Sequence, residues 1–220
     1  MQPSLSFFSG FTPNDLWFLA EAALRTLWIS ALSISIGTVL GAIFGWILYE
    51  GKLTATLTLA PVLDVFRSVP LIIQLVLFYN FAPIVGLDLD PFASGVVILT
   101  IYTAALVANV ARGGIEAVGL PMRRAARSLG MTYWQDLRHV VLPIGGRAVF
   151  PAWVGVALGV MKDSALVSVL GYVELLKASQ ILITRTQEPF LILTLAGAFY
   201  FALSYPVSRF AASLERKWAQ

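Results

Sequence analysis

"RAARSLGMTYWQDLRHVVLP", residues Arg124 to Pro143, is the densest run of chemically capable side chains in the sequence. With Arg123 before it, the run mixes guanidinium groups, aromatic rings and an imidazole. Arginine and aromatic residues are common anchors of protein interfaces, so the chemistry on offer is docking rather than bond-making. The other polar groups of interest are Gln74, Asn109, Lys162 and Asp163. They sit in apolar sequence, where such a group is a pathway candidate by default. Lys162 beside Asp163 offers both charges that a zwitterion needs, although adjacent helical residues do not share a face. Each of the four is equally well a structural partner inside a helix bundle. Tyr79, Asn80 and Tyr102 are candidate interface anchors, and His139 reads as an exposed contact of the basic run.

Composition narrows the chemistry further. The chain has 220 residues, 58% hydrophobic and 12% charged, with mean hydropathy +0.81. Soluble domains run nearer to 45–50% apolar and about 25% charged, so this is an integral membrane protein without a large soluble domain. Zero cysteines remove disulfides, iron–sulfur clusters and thiol nucleophiles, and a single histidine leaves no His-based metal site. No G-x-x-x-x-G-K-[ST] phosphate loop occurs, so ATP is not hydrolysed by this chain in the usual way. No nucleophile–base pair or carboxylate pair suggests an intramembrane enzyme, and no charge ring or carbonyl-rich filter suggests a channel. The net charge of +3 is expected to meet anionic lipid, not nucleic acid.

The elements that must position these groups are helices. Thr26 to Tyr49 carries no charge and is flanked by Arg25 and Glu50, a first span. Gly37, Gly41 and Gly45 recur every fourth residue, a spacing that lets helix backbones approach closely. Leu53 to Leu63 is too short to span and reads as an amphipathic helix, followed by Asp64 and Arg67, three apart and able to pair. A second span is expected from about Ser68 through Pro70 to near Gly86, a third from Phe92 to Ala111, a short fourth from Ala148 to Met161 and a fifth from Phe190 to Ser208. Between the last two, "SALVSVLGYVELLKASQILITRTQEP" reads as re-entrant or surface-lying. The lead-in to Asn14 has no basic region typical of a secretory signal, and Phe7, Phe8 and Phe11 suit an interfacial segment.

Five spans with the basic insert in the cytoplasm put the N-terminus outside and the C-terminus inside. Lys52, Arg67, Arg112, Arg123, Arg124, Arg127, Arg138, Arg147, Arg209, Arg216 and Lys217 are then inside, 11 of the 15 basic residues. Asp88 and Asp90 fall in an outer loop without a basic residue. Positive charge accumulates inside, as membrane insertion favours; six spans would break the pattern.

Residues 112–147 form the insert. Met122 to Leu129 favours a helix that Gly130 can close in the left-handed conformation. Thr132 can cap a second helix, with Gln135 three residues on completing a capping box. Pro143 is expected to stop that helix. The reading is a rigid helix–turn–helix finger that presents Arg, Tyr and Trp.

This finger resembles the "EAA" loop of bacterial ABC importer permeases. Ala125 and Ala126 match its alanines, Gly130 its glycine, Val140 its aliphatic position, and Leu142 with Pro143 its terminal pair. Glu116 and Ala117 are out of register, because Met122 rather than glycine lies six residues beyond Glu116. The family's Glu position holds Arg124. "FRSVPLIIQL" (66–75), "YTAALVANVARGGIEAV" (102–118) and "KDSALVSVLGYVEL" (162–175) are similar to the polar amino acid branch, which often has Glu where this chain has Asn109.

The resemblance implies an all-α integral membrane protein of the type I importer permease fold. It would be a single permease domain over 1–220, with five transmembrane helices and a cytoplasmic coupling loop at about 112–147. It also implies that Arg123, Arg124, Ala125, Ala126, Leu129, Gly130, Met131, Trp134, Leu142 and Pro143 belong to a loop received by a dimer of ATP-binding subunits, which hold ATP and Mg. A second permease subunit, identical or different, would complete the pathway, and an extracytoplasmic binding protein would deliver a polar amino acid. This chain would bind no cofactor itself and would sit in the bacterial inner membrane. A non-transporting scaffold or sensor derived from such a permease is the rival reading, and Arg124 and Asn109 are its support. The same replacements would suit one half of a heterodimer.

Overall fold

The structure is a computed structural model that describes residues 10–218. Phe7 and Phe8 lie outside the described residues. Phe11 is half-buried and packs against a cluster containing Leu19, Leu175, Leu182 and Ile192. All regular structure among the described residues is helical.

Helix α1 spans Pro13–Glu50 and so begins 13 residues before the expected Thr26. Its start is chemically marked. Pro13 occupies the first turn, and Asp15 reaches back to accept from the Thr12 backbone N–H at 2.7 Å and hydroxyl at 3.0 Å. Arg25, taken from the sequence as a flank, lies inside the helix because Glu21 one turn earlier pairs with it at 2.6 Å.

The glycine stripe packs as expected. Gly37, Gly41 and Gly45 face α4, which spans Pro91–Ala117. A Cβ on Gly45 would sit 2.5 Å from the Ala108 carbonyl oxygen, and one on Gly37 2.6 Å from the Thr103 Cβ. Only glycine allows this backbone approach. Asp90 caps α4 by accepting from the Ala93 N–H at 2.7 Å.

The expected second span begins at a sharp bend that separates it from the preceding helix. Helix α2 covers Lys52–Ser68, longer than the Leu53–Leu63 segment read from the sequence, and α3 covers Leu71–Phe81, extended by a 3-10 turn at Ala82–Val85. The two are bent by 104° at Val69 and Pro70. Pro70 lacks an N–H and disfavours helical geometry in the residue before it, so the helix ends there. Gln74 spans the break, its amide donating to the Phe66 carbonyl at 2.8 Å and the Val69 carbonyl at 2.7 Å. Gln74 is therefore a buried brace of the bend.

Helices α5 (Leu120–Ser128) and α6 (Tyr133–Asp136) form the insert, and α7 covers Leu142–Asp163. A 3-10 turn, Ser164–Leu170, leads to α8 (Leu175–Thr186), too short to span and packed on α1, as the mixed sequence suggested. Helix α9 is Pro189–Trp218. Pro13–Glu50, Pro91–Ala117, Tyr133–Leu170 and Pro189–Trp218 are long and apolar enough to cross a membrane, and the bent α2–α3 pair makes five if it counts as one. Ile29, Leu71, Leu75, Ile98, Leu99, Val160 and Val167 join α1, α3, α4 and α7 in one core.

Candidate functional site

The finger's turn has the local chemistry its sequence calls for. Gly130 takes φ +84°, and its N–H reaches the Arg127 carbonyl at 2.9 Å while the Met131 N–H reaches that of Ala126 at 3.2 Å. Thr132 and Gln135 form the capping box, with the Thr132 N–H donating to the Gln135 Oε1 at 2.8 Å.

Pro143 does not stop the second arm. Residues Leu137–Val141 widen into a π turn, and the Leu142 N–H reaches back five residues to the Leu137 carbonyl. Pro143 then falls in the first turn of α7, where its missing donor is not required. The finger thus runs without interruption into the helix of the fourth span.

A buried ion pair ties the two arms together. The Arg123 Nε donates to the Asp136 Oδ2 at 2.9 Å, with Arg123 8% and Asp136 0% exposed. Arg123 also donates to the Tyr49 hydroxyl at 2.9 Å and lies 5.5 Å over its ring. Burial works to lower the affinity of the guanidinium for its proton, but the Asp136 carboxylate and the Tyr49 hydroxyl outweigh it and hold the group above its ordinary value. Nearby, the Trp46 N–H donates to the Tyr133 hydroxyl at 2.7 Å, which donates to the Glu50 Oε1 at 2.7 Å.

What remains outward-facing is apolar at the tip and basic around it. Leu129 is 83% and Trp134 65% exposed, and Leu142, Ala125 and Gly130 are also exposed. Arg124, Arg127, Arg138 and His139 surround them, and the one acid between 118 and 143, Asp136, is buried. Leu129, Gly130, Met131, Gln135 and His139 line a hollow of about 340 Å³. Arg123 and Ala126, grouped with the loop from the sequence, face inward and support it.

The second set of polar candidates is only partly brought together. With its amide oxygen turned toward α2, Asn109 accepts from the Arg67 guanidinium at 3.0 Å. Arg67 also pairs with Asp64 at 3.0 Å. Tyr102, seven residues before Asn109 and so on the same face of α4, lies within electrostatic reach of Asp163, which feels Lys162 in turn. Gln74 stands apart in its brace. Tyr79 packs against the core, and Asn80 is exposed and bonded to the Val76 carbonyl. Among the described residues no group of His, Asp or Glu could hold a metal ion.

That Trp46, Tyr49 and Glu50 hold the finger is not legible in the sequence, because they lie 74 to 87 residues from their partners. The sequence also hid a buried cluster along the N-terminal half of α1. There the Glu174 carboxylate caps α8, accepting from the Lys177 N–H at 2.8 Å, the Leu176 N–H at 2.9 Å and the Tyr200 hydroxyl at 3.2 Å. Thr26 accepts from the Leu175 N–H at 3.0 Å, and Ser30 donates to Ser164 at 3.0 Å. Burial pushes the Glu174 carboxyl up against the opposing pull of these hydrogen bonds. The Glu before an apolar helical run was the available signal.

Residues 37–220 match the family described as the binding-protein-dependent transport system inner membrane component. The chain belongs to that family. As a permease of this family it is 30% identical over 201 residues to the glutamine transport system permease protein GlnP of Escherichia coli K12, covering 90% of this chain and 92% of the relative. It is 29% identical over 216 residues to the probable glutamine ABC transporter permease protein GlnP of Bacillus subtilis, covering 96% and 98%. Among solved structures, an amino acid ABC transporter crystallised with histidines superposes with TM-score 0.82 and 30% identity, covering 91% of this permease and 94% of that chain. The MetNI methionine ABC transporter, inward facing, superposes with TM-score 0.80 at 21% identity over 94% and 99%, a likeness of fold. The permease is a transport component, not an enzyme.

Proposed function

We propose that this permease imports a polar amino acid, taking it from an extracytoplasmic binding protein with energy from ATP hydrolysed, with Mg, on a separate dimer of ATP-binding subunits. The observation that carries this reading is the finger: an exposed apolar tip with a basic rim and no exposed acid, built at the position of the family's coupling loop. The chain works as a single permease domain over 1–220, with its N-terminus outside and its C-terminus in the cytoplasm. Arg124, Ala125, Leu129, Gly130, Met131 and Trp134 dock in a cleft of the ATP-binding subunit, backed by Arg123 and Ala126. Leu142 and Pro143 pass the motion into α7. The cleft that fits this surface is apolar and offers carboxylates to Arg124, Arg127 and Arg138.

A second permease subunit completes the pathway. Asp64 and Asn109 are exposed in this chain, and Arg67 lies between them. In the proposed orientation Arg67 lies toward the cytoplasmic side, where polar groups on a helix face are still met better by protein or water than by lipid. These three therefore face the partner permease or the water-filled path, with Lys162 and Asp163 further along it. Glutamine is the first substrate to try, since two relatives carry that name.

The test is reconstitution with the ATP-binding subunit and binding protein in proteoliposomes. Glutamine-stimulated ATP hydrolysis with glutamine uptake is expected. Hydrolysis that ignores every polar amino acid, with no uptake, would replace the importer with a scaffold or sensor.

A further inference from the structure

The chain itself joins the finger to α4 at one end and to α7 at the other, so those helices follow it by covalent connection. Helix α1 has no such link, yet its last turn is held to both arms. From α5, Arg123 donates to Tyr49; from α6, Tyr133 accepts from Trp46 and donates to Glu50, so both functions of one hydroxyl are used. The Trp46 and Trp134 rings lie 5.9 Å apart. The hollow at the tip, lined by Leu129, Gly130, Met131, Gln135 and His139, contains none of these residues, while Tyr49, Glu50 and Tyr133 border a second hollow with Arg124 and Arg127 at the base of the finger.

We propose that Trp46, Tyr49 and Glu50 are positioning residues that make α1 a third lever of the finger. The lever carries the finger's displacement to the opposite end of the molecule. Helix α1 has 38 residues, about 57 Å at the helical rise, and its glycine seam seats it directly on α4 backbone. Its N-terminal half holds α8, through Thr26 to Leu175 and, at the first turn, through the Asp15–Arg185 ion pair. A push on the finger is thereby felt by α8 along a second route, through α1, beside the continuous helix that runs from Tyr133 to Leu170. Packed elements of this kind move as rigid bodies between discrete arrangements.

This inference rests on the coupling reading of the finger, and its test separates the two. In the complete reconstituted complex, Tyr133→Phe keeps the ring and removes the hydroxyl, while Glu50→Leu attacks the same link from α1, outside the finger. Both variants are expected to keep the ATP-binding subunit and its hydrolysis, with transport per ATP falling about fivefold or more, the lower edge of typical coupling between sites. Glu50→Gln, which retains an acceptor for Tyr133, is expected to restore the ratio. An unchanged ratio in Glu50→Leu overturns the lever, whatever Tyr133→Phe does. Leu129→Asp at the tip is the control for docking: if it fails to release the ATP-binding subunit, the coupling reading falls instead. Because the chain has no cysteine, spin labels on Leu87→Cys and Gln180→Cys can report the far end. An ATP-dependent distance change that is lost in Glu50→Leu supports the lever; a change that persists unaltered, or none in the parent, overturns it.

Discussion

The two ends of α1 are both tied down across long stretches of sequence, but with different chemistry. At the finger end the bonds come from the tips of long side chains, Arg123, Trp46, Tyr133 and Glu50, of which Glu50 is exposed and Tyr133 half-buried. At the α8 end they come from short ones: Thr26 to a backbone N–H, Ser30 to Ser164, and a fully buried Glu174 capping a helix. Long side chains can swing and re-form their bonds as two bodies shift. A hydroxyl that satisfies a buried backbone N–H has no alternative partner, so it fixes position. The difference marks the finger end as the attachment that can flex and the α8 end as the rigid attachment, through which α8 follows α1.

The comparison breaks most severely if the ion pair within the finger is removed. Arg123→Ala leaves Asp136 buried without its partner, and such losses cost about 3–5 kcal/mol. The expected outcome is a finger that no longer retains the ATP-binding subunit, together with a lowered thermal transition. Co-purification measures the first and scanning fluorimetry the second. Retention of the subunit at the parental level would show that the arms hold each other by packing alone. Gly130→Pro cuts elsewhere in the same finger. Proline cannot adopt φ +84°, so the turn must rearrange, at a cost on the order of 1–3 kcal/mol. Membrane insertion is expected to survive while hydrolysis continues without transport. A variant that accumulates substrate at the parental rate would remove the rigid turn from the mechanism.

At the α8 end, Thr26→Val keeps the shape and removes the acceptor for the Leu175 N–H. An unsatisfied buried donor costs about 1–3 kcal/mol, so the thermal transition should fall while the ATP-binding subunit stays attached. Loss of attachment would mean that the two ends are not separable. The contrast with Arg123→Ala is what gives both measurements their meaning.

Local chemistry explains which parts of this architecture could be read in advance. The Gly37, Gly41 and Gly45 stripe, the left-handed Gly130 and the Thr132–Gln135 box each depend on residues within a few positions of one another, and each is present as read. Pro143 was misjudged because a helix stop assumes bonds four residues apart, whereas the π turn shifts the register by one and leaves proline nothing to donate. Pro70 shifts the start of the second span only slightly, from about Ser68 to Leu71, because the chain bends at Val69 and Pro70 before the helix resumes. Asn109 illustrates a third limit. The sequence marks it only as a place where the similar branch often has Glu, whereas in the fold its amide oxygen accepts from Arg67 and Asp64 supplies the charge. The Trp46–Tyr133–Glu50 chain carried no signal, since nothing in residues 46–50 specifies what lies 80-odd positions later.

The smallest expected effect sharpens the account of the rigid attachment. Burial raises the proton affinity of the Glu174 carboxyl above its unfolded value, so the folded state binds more protons than the unfolded state in the window between the two. Stability from this group is therefore fully present below the unfolded value and is lost as pH rises through the folded one. Glu174→Gln cannot titrate, but it retains one acceptor for the first N–H groups of α8. The thermal transition of the parent, relative to this variant, is expected to be higher near pH 5 than near pH 8, with transport per ATP unchanged at both. A difference that grows toward high pH would mean that the charged carboxylate is the form this attachment prefers, stabilised by Leu176, Lys177 and Tyr200 more than burial opposes it. An altered transport ratio would instead place Glu174 in a flexing attachment and erase the distinction between the two ends of α1.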